Sequence, residues 1–551
     1  MSSILGFSGH ANTDKTVWTK EKVLALASKF QDQGDYQDLY EHEDSDGLLY
    51  LVHNRLVTVG LETTTFTEKD NLVVAFDGEI FNYQKFDDLF KKTGSMFESD
   101  TSYEFMLYAY RNLVRVSEEG SVPDEFVYDL DGDDISDEER TFITLMTSLA
   151  DGDMTLMETF SFFLQIIQGD FSFVLHDIDR KKSFMVRKGV GTTPLYYGIT
   201  QFGEFMIASE KKVLIDDCIL IVPFTPNSFV YANIIGKIPV ITPIIPLAWN
   251  RETDGITEFE TGLFQLAVFD KFNRLEKFIK TAIQVNKLPF AFLFNGSLES
   301  QLVLKIANRV MKKESKWGLS PHVFSIHLKD NSFPESINQF LVDQGVISYG
   351  YTYTVDQAFA AIPKIVYLLE TASVDIVLEA IPTYLLLDKI QKGFYLKYLY
   401  SSLGLDEYRD FPDRATLKTR FQGFSEKYSA LGNKLPSGFG IQFDSPLIQS
   451  NLVELIYRFN ADFWDNTYKN ETEDYHFVRE MGRQFGIHDK DGETAFREER
   501  TTLQNALETK VSSLVTNQEF GTGLLLFPTN PPTSKLDYYF RKIYMGYFGN
   551  K

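Results

Sequence analysis

The chain has 551 residues, 44% apolar and 15% aromatic, too many for one ordinary core and far from a disordered composition, so two large globular domains are expected. Its 54 basic and 77 acidic residues leave a formal charge of −23 with no basic patch, which argues against nucleic acid and anionic membrane surfaces as partners. A single cysteine, Cys218, excludes a disulfide framework and a Cys-rich zinc site, and no apolar run is long enough for a membrane-inserted helix.

The residues Met1 to Phe7 carry neither a basic, apolar-cored signal nor an Arg-rich leader. A cytoplasmic location is the default expectation, with an organellar or cytoskeletal assembly as the alternative. The first half then reads mainly as strands: Leu49 to Val52, Leu72 to Phe76, Phe171 to His176, Ser183 to Arg187 and Glu204 to Ala208. Helical spacing is expected at Tyr83 to Lys91 and Ser102 to Leu113. The pattern fits a β-rich α+β sandwich with helices on its faces.

Between Ser117 and Thr141 stand eleven acidic residues and one Arg, followed by an amphipathic stretch, so about 117–168 reads as an acidic insertion. Asp129, Asp131 and Asp133 with Glu139 have the alternation of a calcium-binding EF-hand loop, but Asp134 takes the glycine position and the loop is one residue short. A solvated acidic loop is the plainer reading. Five prolines between Ile221 and Trp249 place a linker at 221–258 after a first domain of 1–220. From 259 to 551 helices alternate with short apolar runs, Phe290 to Phe294, His322 to His327 and Tyr395 to Leu399, the signature of an α/β domain with buried parallel strands.

Asp77-Gly78-Glu79-Ile80-Phe81-Asn82 after a strand resembles the Asn-Gly-Glu-Ile-Tyr-Asn signature of class II glutamine amidotransferases. His53 to Leu56, Ser99-Asp100, Gly169 to Phe173, Arg187 to Gly191, Pro194 to Gly198 and Ala208 to Glu210 follow family blocks in the same order. The resemblance continues: Glu370-Thr371 through Pro382 to Leu386 and Thr533 to Arg541 follow the second half of glutamine-dependent asparagine synthetases, so it covers essentially the whole chain. It implies an N-terminal Ntn-hydrolase-type sandwich followed by a parallel-sheet domain of the adenine nucleotide α-hydrolase, PP-loop type.

The same resemblance exposes replacements. The family's nucleophilic cysteine falls on Ser2, a weaker nucleophile. Its oxyanion-donating Asn falls on Asp77, a carboxylate that accepts hydrogen bonds and repels negative charge. Losing one such donor costs about 10² to 10³ in rate. Arg55, Gly78, Glu79 and Asp100 match the glutamine-holding residues, with an internal Arg55 and Asp100 ion pair as the structural alternative. His53 reads as structural.

In the second half the pyrophosphate loop Ser-Gly-Gly-Leu-Asp-Ser becomes Asn295-Gly296-Ser297-Leu298-Glu299-Ser300, with one loop glycine replaced by Ser297. The Ser-Gly-Glu-Gly-x-Asp-Glu signature becomes Ser401 to Glu407. Its catalytic glutamate falls on Leu403, which can do no acid or base chemistry, while Asp406 and Glu407 remain. The family's phosphate-neutralising Lys falls on Glu499, or with a one-residue offset on Arg500, and a family Arg falls on Asp444.

Packing positions are kept and chemical ones are replaced. The leading expectation is therefore a catalytically inactive asparagine synthetase-like protein, a scaffold or subunit of a larger assembly or a homodimer with protein partners. The alternatives are a divergent ATP-dependent amide ligase using ammonia, and a glutamine or nucleotide sensor. No cofactor is expected beyond ATP and Mg, and those only if the nucleotide site is retained.

Overall fold

The computed structural model describes residues 2–30, 36–45, 47–55, 67–69, 71–80, 82–86, 89–90, 102–126, 136–232, 242–243, 290–314, 320–404, 423–448, 486–487 and 491–549. The chain divides into two compact units, 1–57, 61–253 and 449–454 in the first and the remainder in the second. No helix among the described residues is long and apolar enough to cross a membrane.

The first unit is a sandwich of two six-stranded antiparallel sheets. One contains β1 (Ser2–His10), β2 (Tyr36–Glu43), β3 (Gly47–Arg55), β8 (Tyr196–Thr200), β9 (Phe205–Ala208) and β10 (Cys218–Pro223), in the order β10-β8-β9-β1-β3-β2. The other contains β4 (Thr67–Lys69), β5 (Leu72–Ile80), β6 (Gly169–Asp177), β7 (Lys182–Lys188), β11 (Ser228–Ala232) and β12 (Thr242–Pro243), in the order β12-β11-β7-β6-β5-β4. All five strands read from the sequence in this half are present.

Alternation along each strand assigns its residues to two different cores. Ile4, Leu51, Val73, Val174 and Met185 meet between the sheets. Their neighbours Leu5, Phe7, Leu48, Tyr50 and Val52 face outward onto α1 (Lys20–Ala27), which contributes Val23 and Leu26, and the short α5 (Lys211–Leu214), which contributes Val213 and Leu214. On the far side, Phe171, Phe173 and Phe184 meet α2 (Ser102–Glu119), α3 (Asp137–Ala150) and α4 (Leu156–Ile166). Both faces of the central strands are covered, so β6 is buried along its whole length, its polar Asp170, Ser172, His176 and Asp177 included.

The span read as an acidic insertion divides. Residues 127–135 lie outside the described ones, whereas 137–166 forms α3 and α4, which place Phe142, Met146, Phe160 and Phe163 in the core beside Phe105. Capping boxes start both helices, Ser136 with Glu139 and Thr155 with Glu158. Strands also run into the span read as a linker: Pro223 ends β10, β11 pairs with β7, and Pro243 lies in the edge strand β12. Proline is tolerated at such edges because no ladder N–H is required there. The stretch from Tyr83 opens as a single 3₁₀ turn, Tyr83–Phe86, and Lys91 lies outside the described residues.

The second unit is built on five parallel strands, β13 (Phe290–Leu293), β14 (His322–Leu328), β15 (Ile347–Tyr353), β16 (Tyr398–Tyr400) and β17 (Gln442–Asp444), in the order β15-β14-β13-β16-β17. Helices of the unit include α6 (Leu298–Glu314), α7 (Glu335–Gln344), α8 (Val355–Leu369), α9 (Val374–Gly393), α10 (Asp491–Leu514), α11 (Asn517–Leu526) and α12 (Lys535–Phe548). Ile362, Ile365, Val377, Ile381, Leu507 and Phe540 pack with Phe324 and Leu399 of the sheet. The last apolar run becomes a strand later than its sequence indicated, at Tyr398 rather than Tyr395, because α9 runs to Gly393 and Tyr395 is exposed. Within this unit Lys434 Nζ and the Glu370 carboxylate pair at 2.5 Å, both buried.

Candidate functional site

The chain builds the parallel sheet outward from β13 to β14 and β15, then returns and lays β16 on the other side of β13. The loops leaving the carboxyl ends of β13 and β16 therefore diverge, and open parallel sheets bind ligands in the crevice this creates. A cavity of about 460 Å³ occupies that position, entirely within the second unit. Asn295, Ser297 and Glu299 after β13, Ser401 to Gly404 after β16, and Glu498 to Arg500 of α10 line it.

The loop after β13 satisfies much of its own polar backbone. Asn295 Oδ1 accepts from the Ser297 N–H at 3.1 Å, and Ser297 Oγ accepts from the Ser300 N–H at 3.3 Å. The Gln301 side-chain amide donates to the Gly296 carbonyl at 3.1 Å. Two amides at this helix N-terminus, Ser297 and Ser300, of the kind that would cradle an anion, are thus engaged by the loop's own side chains. Gly296 has φ +82°, and a Cβ there would stand 2.8 Å from the Phe333 ring. On another side a Cβ at Gly492 would stand 2.1 Å from the Gly296 oxygen, so α10 starts in direct contact with the loop. Leu298 and Glu299 open α6, and Glu299 is buried in its first turn, where its charge suits the positive end of the helix.

Glu499 is part of the wall. Its Oε1 accepts from the Leu328 N–H at 2.7 Å and from the Tyr353 hydroxyl at 3.4 Å, and its Oε2 lies 3.2 Å from His327 Nδ1. It thereby closes the carboxyl ends of β14 and β15. Burial, followed by the Glu499 charge, pushes the Tyr353 phenol far above its ordinary range and keeps it a donor. Arg500, the other reading of the family lysine, also lines the cavity and reaches Asp375 at 3.4 Å. Leu403 donates its N–H to Ser401 Oγ at 3.2 Å and packs against the main core. Asp444, on β17, accepts from the Ser401 N–H through its carbonyl at 2.8 Å. Asp406 lies outside the described residues.

Sequence reasoning missed His327, Asp330, Phe333, Glu379 and Pro382, which line the same cavity. A signal for His327 was available, since it stands near the carboxyl end of a strand already read as parallel. Lys427 pairs with Glu379 at 3.1 Å.

In the first unit Ser2 is in register with Arg55 across β1 and β3. His53 is buried, and its Nε2 lies 2.9 Å from the Phe76 carbonyl, tying β3 two residues before Arg55 to β5 one residue before Asp77. Asp77 is 1% exposed and sits opposite Ser172 of β6. Gly78 has φ +107°, and a Cβ there would lie 2.2 Å from the Asp170 carbonyl, so the close approach of β5 and β6 requires glycine. Glu79 is exposed. Asp100 lies outside the described residues.

Asp129, Asp131 and Asp133 lie outside the described residues. Glu139, the last of the calcium candidates, accepts from the Leu89 N–H at 3.2 Å and from the Ser136 N–H at 2.9 Å. One of its oxygens thus holds the segment at Leu89 and the other caps the start of α3. No group of three or more metal-ligating side chains is assembled among the described residues.

The sequence pattern of glutamine amidotransferase domains matches residues 1–116, and a second form of it matches 137–216. The chain is similar to an asparagine synthetase [glutamine-hydrolyzing] of Zea mays, 23% identical over 95% of this chain and 83% of that one. A probable asparagine synthetase [glutamine-hydrolyzing] of Dictyostelium discoideum is 22% identical over 97% of this chain and 91% of that one. Asparagine synthetase B [glutamine-hydrolyzing] of Escherichia coli is 25% identical over 69% and 70%.

Proposed function

We propose that this chain, similar to asparagine synthetases along most of its length, is a non-catalytic member of that family, a scaffold or subunit that keeps the two-part fold without making asparagine. The observation that carries this reading is the loop after β13. Asn295 and Ser297 engage amides at the start of α6, Phe333 and Gly492 press on Gly296, and Glu299 holds a buried negative charge in the first turn. A PP-loop that receives a polyphosphate needs those amides open and a cation nearby.

The wall supports the same reading. Glu499, where one of two alignments puts the family's lysine and the other puts it on Arg500, is tied to the backbone of β14 and repels phosphate, and Leu403 offers a hydrocarbon where the family has a carboxylate. In the first unit the buried carboxylate of Asp77 replaces a neutral amide donor, which disfavours an oxyanion there. The competing reading, an ammonia-using ATP-dependent ligase, draws support from the open cavity at the crevice.

Calorimetric titration of the full chain with MgATP, with and without aspartate, followed by a pyrophosphate-release assay, separates them. No binding at millimolar MgATP is expected. Binding accompanied by pyrophosphate release would sink the non-catalytic reading in favour of the ligase.

A further inference from the structure

The cavity at the ends of β13 and β16 has two kinds of wall. Leu293, Ile326, Phe333, Leu386, Leu435 and Phe443 make one side apolar. The other side is rich in acceptors: Glu299, Asp330, Glu379, Glu498 and Glu499 line it, against His327 and Arg500 among the described residues. Several of these acids are already engaged, Glu379 with Lys427 and Glu499 with Leu328, but Glu498 and Asp330 stand at exposed positions on the rim.

Helix α9 adds to the same wall. Pro382 sits inside it, and Leu378, Glu379 and Pro382 of one turn all line the cavity.

We infer that this cavity binds an organic cation, an amine carried on an apolar body. The volume suits a metabolite-sized ligand, the apolar side would bury its body, and the acceptors would receive its N–H groups. The inference rests on the non-catalytic reading, in that the site is taken to have left polyphosphate chemistry, and it names the ligand class that replaces it. The net charge of −23 attracts such a cation to the protein in the first place.

The test uses a pair of probes with the same body and opposite charge, 4-phenylbutylamine and 4-phenylbutyrate, titrated into the full chain by calorimetry alongside MgATP. The amine is expected to bind at least about tenfold more tightly than the carboxylate, and the margin should narrow as salt screens the rim. Glu498→Gln, an exposed change, should weaken the amine by about fivefold or less and leave the melting temperature unchanged. Leu403→Trp should fill the cavity and weaken both probes.

Equal affinity for the two probes, or no binding of the amine, overturns the inference and leaves the non-catalytic reading standing. MgATP binding with pyrophosphate release overturns both at once.

Discussion

Two sequence blocks that match the same family do different work in the two units. In the first, Arg187 is buried and reaches three carbonyls, Gly191 at 2.6 Å, Phe224 at 2.7 Å and Thr193 at 2.8 Å. Nearby, Asp170 Oδ1 accepts from the Val190 N–H at 2.6 Å. Burial lowers the Arg187 guanidinium to about 10, still charged at neutral pH. In the second unit, the matched loop after β13 and the stretch after β16 line an open cavity. A family block can therefore persist because it closes a turn or because it faces a ligand, and only the surroundings distinguish the two.

That contrast can be broken most directly at Arg187. Arg187→Leu leaves three buried carbonyls without their donor and should cost about 3–5 kcal/mol in urea denaturation. A loss below about 1 kcal/mol would remove the structural account of that block.

The pH dependence of the first unit supplies the next largest effect. His176 is buried against Ser183 at 2.8 Å, and burial, with the nearby His42, pushes its imidazole down to about 4 from an ordinary 6.5, while Asp44 acts weakly in the opposite direction. The native ring stays neutral down to about pH 4, whereas the unfolded ring takes up a proton below about pH 6.5. Its contribution is thus complete above pH 6.5 and falls as the pH drops toward 4, by about 3 kcal/mol. Urea midpoints measured across that window should show the loss, and His176→Gln should flatten it.

At the cavity wall the effects are smaller. Glu499→Lys removes the acceptor for the Leu328 N–H and the Tyr353 hydroxyl and should destabilise by about 1–3 kcal/mol without creating pyrophosphate release. Recovery of turnover in this variant would mean that the wall is a single substitution from activity. Glu139→Ala should cost about 1 kcal/mol through the cap of α3, an effect readable as a lower melting temperature. Calcium addition should leave both proteins unchanged.

Much of this architecture was legible because burial imposes period and composition. The strands of the first sandwich and the apolar runs at Phe290 and His322 follow from that rule. The end of β10 and all of β11 were read as linker because the prolines in and around them outweighed two short strands lying at or next to sheet edges. The β13 loop was legible through its resemblance to a known family. The role of Glu499 was not, since its partners His327, Leu328 and Tyr353 are remote in sequence and meet it only in the folded chain. Local spacing offered Glu139 as a calcium ligand against the plainer reading of a solvated acidic loop, while its partner Leu89 comes from a different segment.

The strand order of the second unit also bears on how the cavity comes into being. β13, β14 and β15 leave the ribosome consecutively and can pair as they emerge, whereas β16 must return across α8 and α9 to reach β13, and α10 is made later still. Non-local pairing of this kind pays its loop-closure entropy before any contact repays it. The crevice is thus among the last features to be assembled during synthesis, and a ligand that fits it would bind the completed fold and have no purchase on the half-made one.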